Sequence, residues 1–230
     1  MRFSEFQSHF SVSRTNRYLF ACSSNTQRAM RLYQRNLRLA QAFHPLLSSF
    51  EVVLRNKIRT VLDAYFSNTD WIIHEQTGFM ISPRLTRHGR ADRYILTEVQ
   101  KARQKLTRRH RPLTAENIVA EQTLGFWVAL FDDNYFGVLS ASPMRVFSHL
   151  ARPNRATVFA NLRRVRDFRN RINHGEPICF NGALTDFVEA VQVRDLVLDM
   201  SGWMSPRTRQ WIEQLDNGTI NRQIRLATSI

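Results

Sequence analysis

Along most of the chain, apolar residues return every three or four positions, the spacing of a helix with one buried face. One such stripe is Ala29, Leu32, Tyr33, Asn36, Leu37 and Ala40, with Asn25 or Thr26 as its N-cap. A second, Leu47, Phe50, Leu54, Ile58, Val61, Leu62 and Tyr65, runs to about Phe66. Pro45 lies between them. It either kinks one helix or opens the next, because proline lacks the N–H a helix interior uses but suits a first turn. Glu51 falls on the second stripe, where an unpaired carboxylate is costly. Either Arg55, four residues on, pairs with it, or Glu51 orients an arginine or histidine from another helix.

Further along, Leu85 to Asp92 reads as a loop and Tyr94 to Arg109 as a helix with a solvated basic face. Thr114 caps a helix through Ile118, Leu124, Phe126, Trp127 and Leu130. Asn154 caps another, with Val158, Leu162, Val165 and Ile172 on its stripe and Phe168 beside it. Arg169 sits where that stripe would otherwise demand an apolar residue. After Pro177 a further amphipathic helix holds Leu184, Phe187, Val188, Val191, Leu196 and Leu198, and Ser205-Pro206 opens a last helix with Trp211 and Leu215. Residues 218–230 read as a loose tail. Glycine and proline are scarce, and no Asn-Gly stands between alternating apolar runs. The expectation is an all-α fold in one domain over residues 1–230, without repeats.

Composition narrows the partners. The 230 residues carry a formal charge of +14, almost all of it arginine, since Lys57, Lys101 and Lys105 are the only lysines. Arginine binds phosphate bidentately and stacks on bases, so the bias points to nucleic acid, although a GC-rich genome produces the same bias. Between Arg84 and Arg111 the basic residues far outnumber Asp92 and Glu98. Arg84, Arg87, Arg90, Arg93, Lys101, Lys105, Arg108 and Arg109 are therefore the candidate phosphate-tracking surface, joined by Arg166 and Arg171 on the Asn154 helix. A hydrophobic content of 43% with 16 Phe fits a folded chain with a large core. Cys22 and Cys179 are isolated thiols that read as core filler in a reducing compartment. With neither a signal-peptide pattern nor a membrane-spanning run, the chain reads as cytoplasmic, with no membrane partner. No carboxylate cluster or His/Cys spacing of a metal site is present, and no cofactor is implied.

The richest chemistry lies in Arg169-Asn170-Arg171-Ile172-Asn173-His174, followed by Gly175-Glu176-Pro177. Within six residues it holds a permanent cation, an amide and an imidazole. On an ideal helix Arg169 and His174 point about 140° apart. They can still meet on one phosphate if the helix stops at His174, or if a two-fold dimer brings Arg169 of one copy to His174 of the other. Gly175 and Pro177 favour a stop there. A histidine at a helix C-terminus suits a general acid, and an arginine suits the charge developing on a phosphorane. The competing structural reading has His174 bonding a terminal carbonyl and Arg169 pairing with Glu51.

Phe168-Arg169-Asn170-Arg171-Ile172-Asn173-His174-Gly175-Glu176-Pro177-Ile178 resembles the Arg-Asn-x-x-x-His signature of HEPN domains, in particular the Abi-like abortive-infection family. Arg31-Leu32-Tyr33-x-x-Asn36, Phe50-Glu51-Val52-Val53-Leu54-Arg55-Asn56 and Leu124-Gly125-Phe126-Trp127-Val128-Ala129-Leu130 resemble the same family in the same order. The resemblance covers about Ser13 to Trp203. It implies a HEPN-type helical bundle with additional helices, a two-fold homodimer with a composite site, and metal-independent endoribonuclease activity leaving 2′,3′-cyclic phosphate ends. It also implies a toxin of antiphage defence, restrained by a protein or RNA antitoxin. Arg169, Asn170 and His174 take the catalytic positions, with Glu51, Arg55, Asn56 and Glu176 in support. The family commonly has Ala-His-His-Glu where this chain has Asn173-His174-Gly175-Glu176, so Gly175 replaces a possible second imidazole. The alternative is a non-catalytic RNA-binding adaptor or dimerisation module of the same shape.

Overall fold

Periodicity of this kind folds into helices almost throughout. The computed structural model describes residues 1–152 and 154–230. In chain order the elements are α1 (Phe3–Phe10), α2 (Val12–Ala21), α3 (Thr26–Phe66), α4 (Trp71–His74), β1 (Thr86–Arg87), β2 (Arg90–Ala91), α5 (Tyr94–Arg108), α6 (Ala115–Glu121), α7 (Leu124–Ala129) and α8 (Asp133–Val138). They continue with α9 (Arg155–Asn173), β3 (Phe180–Asn181), β4 (Leu184–Thr185), α10 (Val188–Met204), α11 (Pro206–Asp216) and α12 (Thr219–Thr228). The all-α expectation holds. Among the described residues no helix is long and apolar enough to cross a membrane.

The contacts divide the chain into two compact units. The first holds residues 1–50, 167–201 and 207–230; the second holds 51–166 and 202–206. In the first unit Tyr33 of α3 is the hub of an aromatic cluster. Phe6, Phe10 and Tyr18 place their rings 5.1, 5.2 and 5.1 Å from it, and Phe180 lies 5.0 Å beyond Tyr18. Phe43 and Phe168 meet edge to face at 4.9 Å, a geometry that adds to their burial energy. In the second unit Phe66, Trp71 and Phe79 stack, while Ile95, Val99 and Leu106 of α5 and Phe126 and Trp127 of α7 are buried.

The caps explain several boundaries. Asn25 accepts from the Arg28 N–H at 3.0 Å, Thr114 from Asn117 at 3.3 Å, and Asn154 from Thr157 at 3.1 Å, satisfying donors that a helix start leaves open. Pro206 occupies the first position of α11, as its fixed φ favours. Pro45 does not divide a helix: α3 runs unbroken through it for 41 residues. Ala29, Leu32, Tyr33 and Asn36 are buried as the stripe predicts, but Leu37 is exposed and Leu39 is fully buried in its place.

Other expectations are corrected. The helix expected from Thr114 to Leu130 is two, α6 and α7, because Gln122 and Thr123 turn extended. Leu85–Asp92 closes as a hairpin over His88 and Gly89, both at positive φ (50° and 73°), as a tight two-residue turn requires. Leu184 is not helical but lies in a second hairpin, with Asn181 opposite it across Gly182 (φ 59°) and Ala183. The helix then starts at Val188, whose N–H is bonded by Asp186, and buries Val193, Val197 and Met200 while Val188 and Val191 stay exposed. The segment expected as a loose tail forms α12, which buries Ile220 and Ala227. It is anchored by Asp216, whose carboxylate accepts from the Ile220 N–H (3.0 Å) and pairs with Arg194 Nε at 2.5 Å. Arg194 thus answers the charge of a buried acid.

Both cysteines are buried free thiols, as core filler should be. Burial pushes the Cys179 thiol from an ordinary 9.0 up to about 12, and burial also raises the neighbouring Tyr18 phenol. Above pH 9 the unfolded chain gives up the Cys179 proton first. Stability present below that pH is therefore lost as pH climbs toward 12, by at most about 1.4 kcal/mol per pH unit for each such group. Thermal melting followed from pH 8 to 11 is expected to show this decline, with a shallower slope for Cys179→Ala.

Candidate active site

Helix α9 ends by a complete backbone device. The Glu176 N–H bonds the Arg171 carbonyl at 2.8 Å and the Gly175 N–H bonds Ile172 at 3.0 Å, with Gly175 in the left-handed region at φ 64°. These are the paired bonds of a Schellman closure, and they satisfy carbonyls that the helix end would leave open. His174 sits at the hinge of the closure. Its N–H still reaches Asn170 (2.9 Å), but its imidazole is exposed, and among the described residues no hydrogen bond to that ring is seen. The reading in which His174 serves the cap is therefore not what the geometry shows: backbone N–H groups do that work.

Arg169 and Asn170, one turn earlier, are half-buried. The Asn173 amide, with its oxygen toward Arg169, accepts from Nε at 3.3 Å and from Nη1 at 2.9 Å. Both bonds go to one amide oxygen, which helps to orient the guanidinium plane. Asn173 thus positions Arg169 through its side chain while its backbone leads directly into His174. The sequence reading quoted Asn173 only as part of the motif; its i+4 spacing from Arg169 was the available signal.

A third cation arrives from α2. Arg14 Nη1 lies 3.3 Å from where a Cβ would stand on Gly175. Glycine is favoured there by its backbone angle, φ 64°; the Arg14 tip could move aside from a Cβ. Nothing in the local sequence could have announced Arg14, which is 161 positions from Gly175 in a chain rich in arginine. The adjoining Arg17 is committed to structure, donating to the Gly182 carbonyl at 2.7 Å and lying 4.6 Å over the Phe180 ring.

The loop that follows His174 is pinned by Asn36. This residue is only 2% exposed, and its side-chain oxygen accepts from the Ile178 N–H at 2.9 Å. Asn36 and Tyr33, flagged together in the sequence, hold the loop and the aromatic cluster respectively. Arg171 also braces the loop: it pairs with Glu189 and donates to the Pro177 carbonyl at 2.6 Å. Its charge is already matched, which sets it apart from the phosphate-binding role given to it in sequence. Glu176 is exposed and contributes its backbone to the helix closure.

Glu51, Arg55 and Asn56 belong to the second unit. Glu51 and Arg55 are half-buried on α3, and Arg55 Nε reaches the Asn56 amide oxygen at 3.5 Å. The basic region is also more neutralised than the sequence suggests. Lys105 and Arg109 both meet Glu121 (2.5 and 3.2 Å), Lys101 meets Glu98 (2.7 Å), and Arg87 meets Asp132 (2.7 Å) and Asp92 (3.6 Å). Among the described residues, Arg84, Arg90, Arg93 and Arg108 make no ion pair with a carboxylate.

Comparison of the chain with protein-family models, with characterised proteins and with solved structures finds no match.

Replacing Asn36 by Leu keeps most of its volume but leaves the buried Ile178 N–H without an acceptor. The expected loss is about 1–3 kcal/mol of stability, read by urea denaturation.

Proposed function

We propose that the chain is a metal-independent endoribonuclease of the HEPN type, working as a homodimer in the cytoplasm and acting as a toxin in antiphage defence. The observation that carries the reading is the exposed His174 imidazole, which makes no hydrogen bond among the described residues, at the end of the helix that carries Arg169 and whose capping is already complete. A side chain relieved of capping work suits chemistry better than support.

In this mechanism the 2′-oxygen of the RNA attacks the adjacent phosphorus as its proton passes to a base. His174 delivers a proton to the departing 5′-oxygen, and a 2′,3′-cyclic phosphate remains. Arg169 faces the negative charge that grows on the phosphorane oxygens, where preorganised donors act most strongly. Asn170 orients the phosphate or the imidazole. The base is an imidazole from the second copy, which is why the site requires a dimer. A protein or RNA antitoxin would keep such an enzyme silent by covering the exposed His174.

Expression of the intact chain is expected to be toxic, and His174→Ala is expected to relieve the toxicity. With purified protein, His174→Ala should lower RNA cleavage at least roughly 10²-fold. Arg169→Lys should fail similarly, since an ammonium cannot replace a planar fork. Asn173→Ala should lower turnover less, through a loosened Arg169. Undiminished cleavage by His174→Ala would overturn the assignment; RNA binding without any cleavage by the intact protein would favour a non-catalytic adaptor.

A further inference from the structure

The second unit contains a cavity of about 920 Å³ that lies wholly within it, walled by the β1–β2 hairpin, the start of α5, and α7, α8 and α9. Its chemistry is uneven in a telling way. Arg87 lies against Asp132 and Asp92, so the two carboxylates of the wall are already answered by one cation. Asp92 is further occupied by the Tyr135 hydroxyl, which donates to it at 2.7 Å, and by the Tyr94 N–H at 3.0 Å. Tyr135 in turn accepts from the Ile95 N–H at 3.3 Å, so this corner is a closed structural network.

What the network leaves over is positive. Arg90 comes from the hairpin, Arg93 from the N-cap of α5 and Arg163 from α9, and among the described residues none of the three pairs with a carboxylate. Two aromatic rings share the cavity with them. Tyr94 is 41% exposed, and Phe159 is half-buried with the Arg163 guanidinium 5.7 Å above its ring. Gly125 provides the floor: a Cβ there would stand 3.1 Å from the Tyr94 hydroxyl and 3.8 Å from Arg166 Cδ. A solvated basic face needs neither a concavity nor aromatic rings in it. Guanidinium groups grouped with aromatic faces in a pocket of this size suit an aromatic base that carries phosphate.

We propose that this cavity is a nucleotide-binding site, with the base against Tyr94 and Phe159 and the phosphate on Arg90, Arg93 and Arg163. It deepens the ribonuclease reading by naming single-stranded RNA as the substrate class, one nucleotide of which seats here. The same chemistry is present in a free nucleotide, and the two sources separate by experiment. The site is distinct from Arg169 and His174, so it is tested in the His174→Ala protein, where RNA stays intact.

Binding is measured by titration at about 0.1 M salt with three probes: a short oligouridylate, AMP and inorganic pyrophosphate. The oligonucleotide is expected to bind, with pyrophosphate much weaker. Tyr94→Ala is expected to weaken it roughly tenfold, as for loss of one stacked base. Arg93→Gln/Arg163→Gln should flatten the log–log salt dependence by roughly 1 to 1.5. Gly125→Leu, which fills the floor without changing charge, should weaken binding while circular dichroism stays unchanged. Tight AMP binding lost in the same variants supports a nucleotide site supplied by the free species. The proposal is overturned if pyrophosphate binds as well as the nucleotides, if none of the probes binds, or if oligonucleotide binding survives both Tyr94→Ala and the double arginine variant. Cleavage by the intact protein with binding unmoved in those variants would sink this site alone, whereas binding without cleavage would sink the nuclease and leave the site standing.

Discussion

The structure around the motif depends on where α9 stops. Gly175 in the left-handed region lets two backbone N–H groups turn back onto Ile172 and Arg171. A residue with a Cβ adopts that angle only at a cost. Because the closure is made by backbone alone, His174 is relieved of capping.

That local stop is held by longer-range forces. The strand-like segment after Pro177 cannot supply its own partners, so Asn36 takes the Ile178 N–H from within the core, and the Asp186 N–H bonds back to Cys179. Tyr18 and Cys179 lie buried beneath the hairpin, and both resist ionisation because burial penalises their charged forms. The His174 side chain is exposed and takes part in none of these bonds. The positioning cost is met by backbone and core, not by the group that would do chemistry.

The sequence made some of this legible and concealed the rest for identifiable reasons. Helix starts at Asn25, Thr114 and Asn154 could be read because a side-chain cap is a local signal, and the end at Gly175 because left-handed backbone favours one residue type. The two hairpins could not be read by alternation, since each strand is two residues long and Asn181-Gly182 stands beside Phe180 and Cys179 rather than in an alternating run. Leu184 was drawn into a helix for the same reason. The unbroken path of α3 through Pro45 reflects burial of Phe43, Leu46, Leu47 and Phe50 on both sides of it, a tertiary gain that outweighs one lost hydrogen bond. Arg14 at Gly175 joins residues 161 positions apart, and periodicity carries no information about such a pair.

Charge was the least reliable guide, because a count of basic residues in a segment ignores the acids that folding brings to it. Glu121 and Asp132 lie outside the Arg84–Arg111 stretch, yet they engage Lys105, Arg109 and Arg87. The exposed pairs contribute little stability in salt, but they still remove net charge from the surface a phosphate would meet. What survives this cancellation is not a continuous basic track along α5. Part of it gathers where Arg90, Arg93 and Arg163 line one cavity with aromatic rings, while Arg103 and Arg108 on α5 also meet no carboxylate among the described residues. A field focused in a concavity attracts an anion more selectively than the same charges spread along a helix. The physical case for nucleic acid therefore rests less on the total of +14 than on where folding leaves it unbalanced.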